Sequence, residues 1–459
     1  MEKLPLSLLA LILAIAITLF ACTLFTRKKE LKPFVSEVVH PEWSKNSVLY
    51  EVNVRQYTPE GTFNAFAEHL PRLNQLGVDV LWFMPINPIG IKNRKEALGS
   101  YYSVKDFIDV NPEFGTIEDF KKLIVKSHDL GFHVIIDWVP NHSSWDNKLT
   151  EEHPDWYVKD SKGNFTPPIG TDWTDVIQFD WSKKELQDYM IGALKFWVEL
   201  GVDGFRVDHP HQTPYEFWER VRVELNKVKP VFMLAENEEQ TDFMKKGFDM
   251  SYAWELHHLM NRIAQGKDSL KSLNKYYLKE KSVFPQNVYR MVFMDNHDEN
   301  SWNGTINSRM GKAQNAFAVF MFTTQGVPLL YNGQEVCLDK SLKFFVRDTI
   351  KWDTCRLTGF YTDLIKMKKG NKSLWNGEYG GKMEMIKTNK DRKVFAYYRE
   401  REENRVIVFL NLSKKNLALK PDTQNLEGEY KDYFTGEKTT LPLTDSLRLE
   451  AWGFRVLVR

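Results

Sequence analysis

From residue 47 to about 370 the chain repeats one unit eight times: a short apolar run, a turn, then a longer amphipathic stretch. The apolar runs are SVLYEVNV (47–54), VDVLWFMPI (78–86), HVIIDWV (133–139), GFRVD (204–208), VFMLAEN (231–237), FDMSYAW (248–254), YRMVFMDN (289–296) and VPLLYNG (327–333). Most are apolar at consecutive positions, the pattern of parallel strands covered on both faces. The intervening stretches read as helices at 63–77, 116–131, 184–201, 213–229, 255–266, 309–325 and 358–370. Thr116 is placed to cap the second, and Leu186, Met190, Ala193, Leu194 and Trp197 recur at helical spacing in the third. The helix after 231–237 is short, and the unit after 248–254 is long. Eight strand–helix units close a (β/α)8 barrel, an α/β fold expected to span residues 44–370.

Two connections are too long for ordinary turns. Residues 87–115 follow the second strand, and residues 140–183, rich in Trp, Asp, Pro and Gly, read as a small subdomain inserted after the third. Beyond residue 370 the pattern changes. KMEMIKTNK, KVFAYYRER and RVIVFLNLS are short, alternating and separated by polar turns, so residues 371–459 are expected to form a C-terminal antiparallel β-sandwich.

The first 43 residues stand apart. Residues 1–22 hold an apolar run that ends in LFAC, and residues 23–43 read as a polar linker. The run suits a secretory signal, and LFAC resembles a bacterial lipobox in which Cys22 carries a lipid. That reading expects an exported protein of the cell envelope, touching the membrane only through its N-terminus. The run is also nearly long enough for an uncleaved transmembrane anchor, and RKK at 27–29 favours the cytoplasmic side. Cys337 and Cys355 are the only other cysteines, too few for a disulfide framework and without metal-ligand spacing. A net charge of +1, from 62 basic and 61 acidic residues, offers no basic surplus for nucleic acid. The sequence leaves the oligomeric state open.

The polar residues inside the apolar runs are not scattered. Asp137 lies near the end of the third strand, with Asn141 and His142 just after it. Arg206 and Asp208 end the fourth, Glu236 ends the fifth, and His297 and Asp298 follow the seventh. A barrel gathers those carboxyl ends around one mouth. Buried ion pairs that only hold the fold together have no reason to collect there. Carboxylates with two histidines and an arginine suit glycoside hydrolysis, which needs one carboxylate and one carboxylic acid. A metal-bound carboxylate cluster, as in metal-dependent isomerases, is the competing chemistry.

DWVPNH (137–142), GFRVD (204–208), LAEN (234–237) and FMDNHD (293–298) resemble, in order, spacing and strand placement, the four signature regions of the α-amylase family, glycoside hydrolase family 13. LGSYYSVKDF and VPLLYNGQE resemble its segments around strands two and eight. The resemblance implies Asp208 as nucleophile, Glu236 as general acid and then base, and Asp298 as the carboxylate that holds sugar hydroxyls. It implies that Arg206 keeps Asp208 ionised, that Glu236 starts protonated with a raised pKa, that His142 and His297 donate to the sugar, and that Tyr102 stacks on it. Asn141 matches a position that holds calcium in many members; no organic cofactor is implied. The chain departs from the family at His209 and Pro210, where small residues are usual, at Gln212, where calcium-dependent members carry histidine, and in 171–180, a loose match to the fifth region.

These readings expect a retaining enzyme that cleaves α-1,4-glucosidic bonds of starch, glycogen or maltooligosaccharides. A transglycosylase on the same site and a non-catalytic carbohydrate-binding protein are the alternatives. Chain-length preference and endo or exo action are not legible.

Overall fold

A parallel strand needs cover on both faces, and the eight expected strands obtain it by closing on one another inside a ring of helices. The computed structural model describes residues 34–284 and 287–459; Cys22 and the apolar run before it lie outside the described residues. Among the described residues, no helix is long and apolar enough to cross a membrane.

In chain order the strands are β1 (Leu49–Val52), β2 (Val80–Phe83), β3 (His133–Trp138), then β4 (His142–Ser144) and β5 (Val176–Gln178) in the insertion, then β6 (Gly204–Val207), β7 (Phe232–Ala235), β8 (Met250–Tyr252), β9 (Tyr289–Phe293) and β10 (Val327–Tyr331). All but β4 and β5 form a closed parallel barrel, in the order β1-β10-β9-β8-β7-β6-β3-β2. Alternation along each strand explains the two-sided apolar runs. Leu49, Val80, Trp82, Ile135, Phe232, Leu234 and Met291 fill the interior. Tyr50, Leu81, Val134 and Met233, one residue away in each case, belong to the layer between barrel and helices. Gly204 has a separate reason to be glycine: a Cβ there would lie 2.0 Å from the Phe232 carbonyl oxygen of the neighbouring strand.

The helices follow the sequence reading with informative exceptions. Thr116 and Asp119 form a capping box at the start of Ile117–Asp129. The stretch 63–77 divides into Phe63–Ala67 and Leu70–Leu76, with Pro71 in the first turn of the second piece, where its missing N–H costs nothing. The stretch 309–325 divides at Gly311, which has φ 51°. After β7 there is only the 3-10 turn Thr241–Met244 instead of an α-helix, and the long sixth unit contains an unforeseen second helix, Leu270–Val283.

The insertion holds the antiparallel pair β4 and β5 and packs on the first long loop, where Ser144 N donates to Val104 O at 2.9 Å. The C-terminal strands are β11 (Met383–Met385), β12 (Val394–Arg401), β13 (Asn404–Asn411), β14 (Leu417–Leu419), β15 (Gly428–Asp432), β16 (Lys438–Leu441), β17 (Leu447–Leu449) and β18 (Phe454–Val458). Six make the sheet β11-β12-β13-β18-β15-β16, and β14 pairs with β17. Buried Arg399 ties this domain to the barrel by donating to the Thr324 carbonyl oxygen at 2.6 Å. The two late cysteines are joined: a disulfide links Cys337 to Cys355 and closes the loop after β10.

Candidate active site

Strand ends put the polar residues where the sequence reading expects them. Asp208 N donates to Trp138 O at 2.9 Å and Glu236 N to Val207 O at 3.0 Å, so both acids stand one residue beyond the barrel, on its hydrogen-bond ladder. Phe205 and Val207 face the helices, which leaves Arg206 to face inward, fully buried. Its guanidinium is the hub of the site. Nη1 lies 2.9 Å from both Asp137 Oδ1 and Asp208 Oδ1, Nη2 lies 2.8 Å from Glu236 Oε1, and Nε donates to the Tyr252 hydroxyl at 3.1 Å. The contact with Glu236 is short but lacks hydrogen-bond alignment, so it is an ion pair without directional hold. One carboxylate oxygen of Asp208 and one of Glu236 lie within 4.8 Å of each other and of a His209 ring nitrogen.

A cavity of about 450 Å³ opens above these groups; Tyr102, His142, Asp208, Glu236, His297 and Asp298 line it, with His209, Trp173, Trp302, Phe344 and Phe345. Six of the expected site residues thus meet in one cavity, and Arg206 lies beneath it. A larger groove of about 1440 Å³, between the first long loop and the insertion, contains none of the three carboxylates.

Burial and neighbouring charges act on the two acids in opposite directions. Burial pushes the Asp208 carboxyl up to about 6, and neighbouring Glu236 adds to the rise. Burial also works to raise Glu236, but the charges of Arg206, His209 and His297 outweigh it and hold that carboxyl at about 2. The two acids therefore titrate as a pair, because Arg206 faces both of them and His209, whose own pKa is raised by the two acids, stands beside them where small residues are usual in the family. His209 sits at φ 39°, its N–H donates to Glu236 Oε2 at 3.2 Å, and its ring lies 3.8 Å from the same oxygen.

The two site histidines are also engaged by the protein. His297 Nδ1 lies 2.5 Å from Glu51 Oε1, and Nε2 lies 2.8 Å from the Tyr102 hydroxyl and 3.4 Å from Asp298 Oδ2. Burial disfavours its charge, yet Asp298 and Glu51 overcome that and push it up to about 9, so His297 is a cation at neutral pH. Burial, with the His209 charge, brings His142 down to about 3. His142 is therefore neutral, and its Nε2–H is directed at the Tyr102 carbonyl 3.2 Å away. Tyr102 lies against His297, ring centroids 5.6 Å apart and planes within 24°.

Asn141, the expected calcium position, is buried beneath the site. Its Nδ2 donates to the Asp208 carbonyl at 3.3 Å, while its Oδ1 has no partner among the described residues; Gln212 Oε1 is likewise buried and unpartnered. Both are hard oxygen donors of the kind calcium accepts.

Glu51 was missed by sequence reasoning, although its signal is present. It is a carboxylate in an apolar run, at the same parity as inward-facing Leu49. Trp173, Trp302 and Phe344 come from irregular segments whose positions no periodicity reports.

A barrel that brings three carboxylates and a buried arginine to one open cavity has the architecture of a glycoside hydrolase. The chain belongs to the alpha-amylase family: residues 38–401 match the family model "Alpha amylase, catalytic domain". Alpha-amylase 2 of Dictyoglomus thermophilum is 25% identical over 462 residues, covering 91% of this chain and 77% of that protein. A cyclomaltodextrinase of a Bacillus species is 23% identical over 445 residues, covering 84% and 77%. Of the solved structures, the noncanonic maltogenic alpha-amylase AmyB of Thermotoga neapolitana superposes with a TM-score of 0.82 at 27% identity, covering 90% of this chain and 98% of that one. An alpha-amylase of Lactobacillus plantarum gives 0.81 at 29%, covering 90% and 99%.

Proposed function

We propose that this enzyme cleaves α-1,4-glucosidic bonds of starch, glycogen or maltooligosaccharides with retention of configuration. The observation that carries the reading is the pair of facing oxygens of Asp208 and Glu236, within 4.8 Å of each other. Retaining glycosidases hold their two carboxyl groups about 5–5.5 Å apart, whereas inverting ones need about 6.5–9.5 Å to admit a water. Asp208 attacks the anomeric carbon. Glu236 gives its proton to the leaving oxygen, then takes one from the water that releases the sugar. Asp298, half-exposed at the cavity wall, accepts from sugar hydroxyls. A sugar hydroxyl in place of that water turns hydrolysis into transglycosylation. Reducing ends released from soluble starch test the reading, and maltoheptaose products with their anomeric form test the mechanism. An inverted product or no cleavage of either substrate removes it.

The pair must carry one proton, residing on Glu236 at the moment of attack. The pair titrates in two steps, at about 2 and about 6, so the free enzyme carries that proton below about pH 6 and loses it above. The expected kcat/KM profile therefore falls on an alkaline limb near pH 6. His209→Gln removes a cation that faces both acids, so the limb should move to higher pH; an unmoved limb would show that His209 carries no charge in the working enzyme.

Calcium at Asn141 is a second proposal, supported by the buried, unpartnered Oδ1. No catalytic step runs through it. Neutral oxygens alone hold the ion weakly, so millimolar calcium should raise the melting temperature by about 2 °C or more over EGTA. Superimposable melting curves discard it. Export with a lipid on Cys22 is a third. The Cys337–Cys355 disulfide supports it, because disulfides persist in oxidising compartments. A mature protein without a lipid on Cys22 counts against it.

A further inference from the structure

The aromatic side of the cleft is built by two segments that the proposed reaction does not use. Immediately after Asp298 comes the π-helical turn Glu299–Asn303, on which Trp302 stands 59% exposed. The disulfide-closed loop after β10 carries Phe344 and Phe345 to the same cavity wall. The rings step outward from the reaction centre. Tyr102 and Phe344 are 6.3 Å apart with planes within 12°, and Phe344 and Trp302 are 5.6 Å apart at 37°.

A single exposed tryptophan needs no explanation by itself. This one ends a row of rings that begins beside the carboxylates, and it shares their cavity. The row is also rigidly mounted. Leu342 N donates to Asn300 Oδ1 at 2.8 Å, and Asn307 Nδ2 donates to Asp339 Oδ2 at 2.8 Å, so the loop is fastened to the segment that carries Trp302 from both sides. A rigid aromatic surface loses little freedom on binding. A pyranose presents a face of C–H groups that matches the negative face of an aromatic ring.

We propose that Trp302, backed by Phe344 and Phe345, is a stacking platform for an uncleaved glucosyl unit of the substrate, separated by at least one further unit from the two that share the scissile bond, and that it sets the preference for longer chains. This rests on the α-glucan reading above. Contact energy made by a remote part of the substrate acts only on chains long enough to reach it.

The test compares maltotriose with maltoheptaose for the wild type, Trp302→Ala and Trp302→Phe. The expected result is a roughly tenfold loss of kcat/KM on maltoheptaose for Trp302→Ala, the upper end of what one ring contact supplies. Activity on maltotriose should stay within about twofold, and Trp302→Phe should recover most of the loss. Equal losses on both substrates, or none on maltoheptaose, overturn the platform. A wild-type enzyme that leaves both substrates intact overturns the α-glucan reading, and the platform falls with it.

Discussion

Asp208→Asn should lower turnover on starch by at least about 10³-fold while starch binding and the folded state persist. The amide is nearly the same shape as the carboxylate, and its oxygen still accepts from Arg206 Nη1, now 2.9 Å from Asp208 Oδ1. What is lost is the proposed nucleophile and one charge. On stability, two effects oppose. Arg206 loses one of its three carboxylates, and Glu236 loses a repelling neighbour. The net change should stay within about 2 kcal/mol by urea unfolding. Glu236→Gln should be as inactive on starch but for want of a proton donor. An aryl glycoside with a good leaving group needs no protonation, so it should partly restore the first step for Glu236→Gln and leave Asp208→Asn silent. Near-normal starch turnover by Asp208→Asn, or its unfolding, would return these acids to a structural role.

The barrel was legible because a two-sided apolar strand is a strong local signal, and because eight of them leave few topologies. The carboxylates were legible for the same reason in reverse, since a charge inside such a run has to have a purpose. Glu51 carries that signal and was overlooked only because its strand ends in no recognisable motif. The proton balance of the pair Asp208 and Glu236 was not legible. It depends on which way one guanidinium points and on where the His209 ring falls, and neither is a property of spacing. The pairing of Cys337 with Cys355 was equally hidden, since two cysteines 18 residues apart meet only because the loop after β10 returns on itself. Trp302 and Phe344 lie in segments without period, so only the fold brings them to the cleft. Glu51, which holds His297 Nδ1, and the Tyr102 carbonyl, which faces His142 Nε2, lie outside the motifs that located the two histidines.

Arg206→Met should be the most damaging single change in the barrel. Arg206 is fully buried and serves Asp137, Asp208 and Glu236 together, all nearly or completely buried themselves. Methionine fills much of the volume but leaves three acids in a low-dielectric site with no shared cation. Removing one member of a buried charge network costs about 3–5 kcal/mol. The pH dependence separates this cause from simple loss of packing. Without Arg206 the folded-state pKa values of Asp137 and Asp208, already above their unfolded values, rise further, and that of Glu236 rises with them. Such groups favour the fold when protonated, and that advantage is lost as pH rises through the folded pKa. The stability deficit against the wild type should therefore be greatest at neutral pH and shrink as pH falls towards 4. Activity should disappear across the whole range, because where the variant is most stable Asp208 is protonated and cannot attack. Arg206→Lys should recover only part of either property, since one ammonium cannot span three acids and the Tyr252 hydroxyl in a fixed plane. A deficit in Arg206→Met that does not change with pH would mean that packing, and not the shared charge, is what Arg206 supplies.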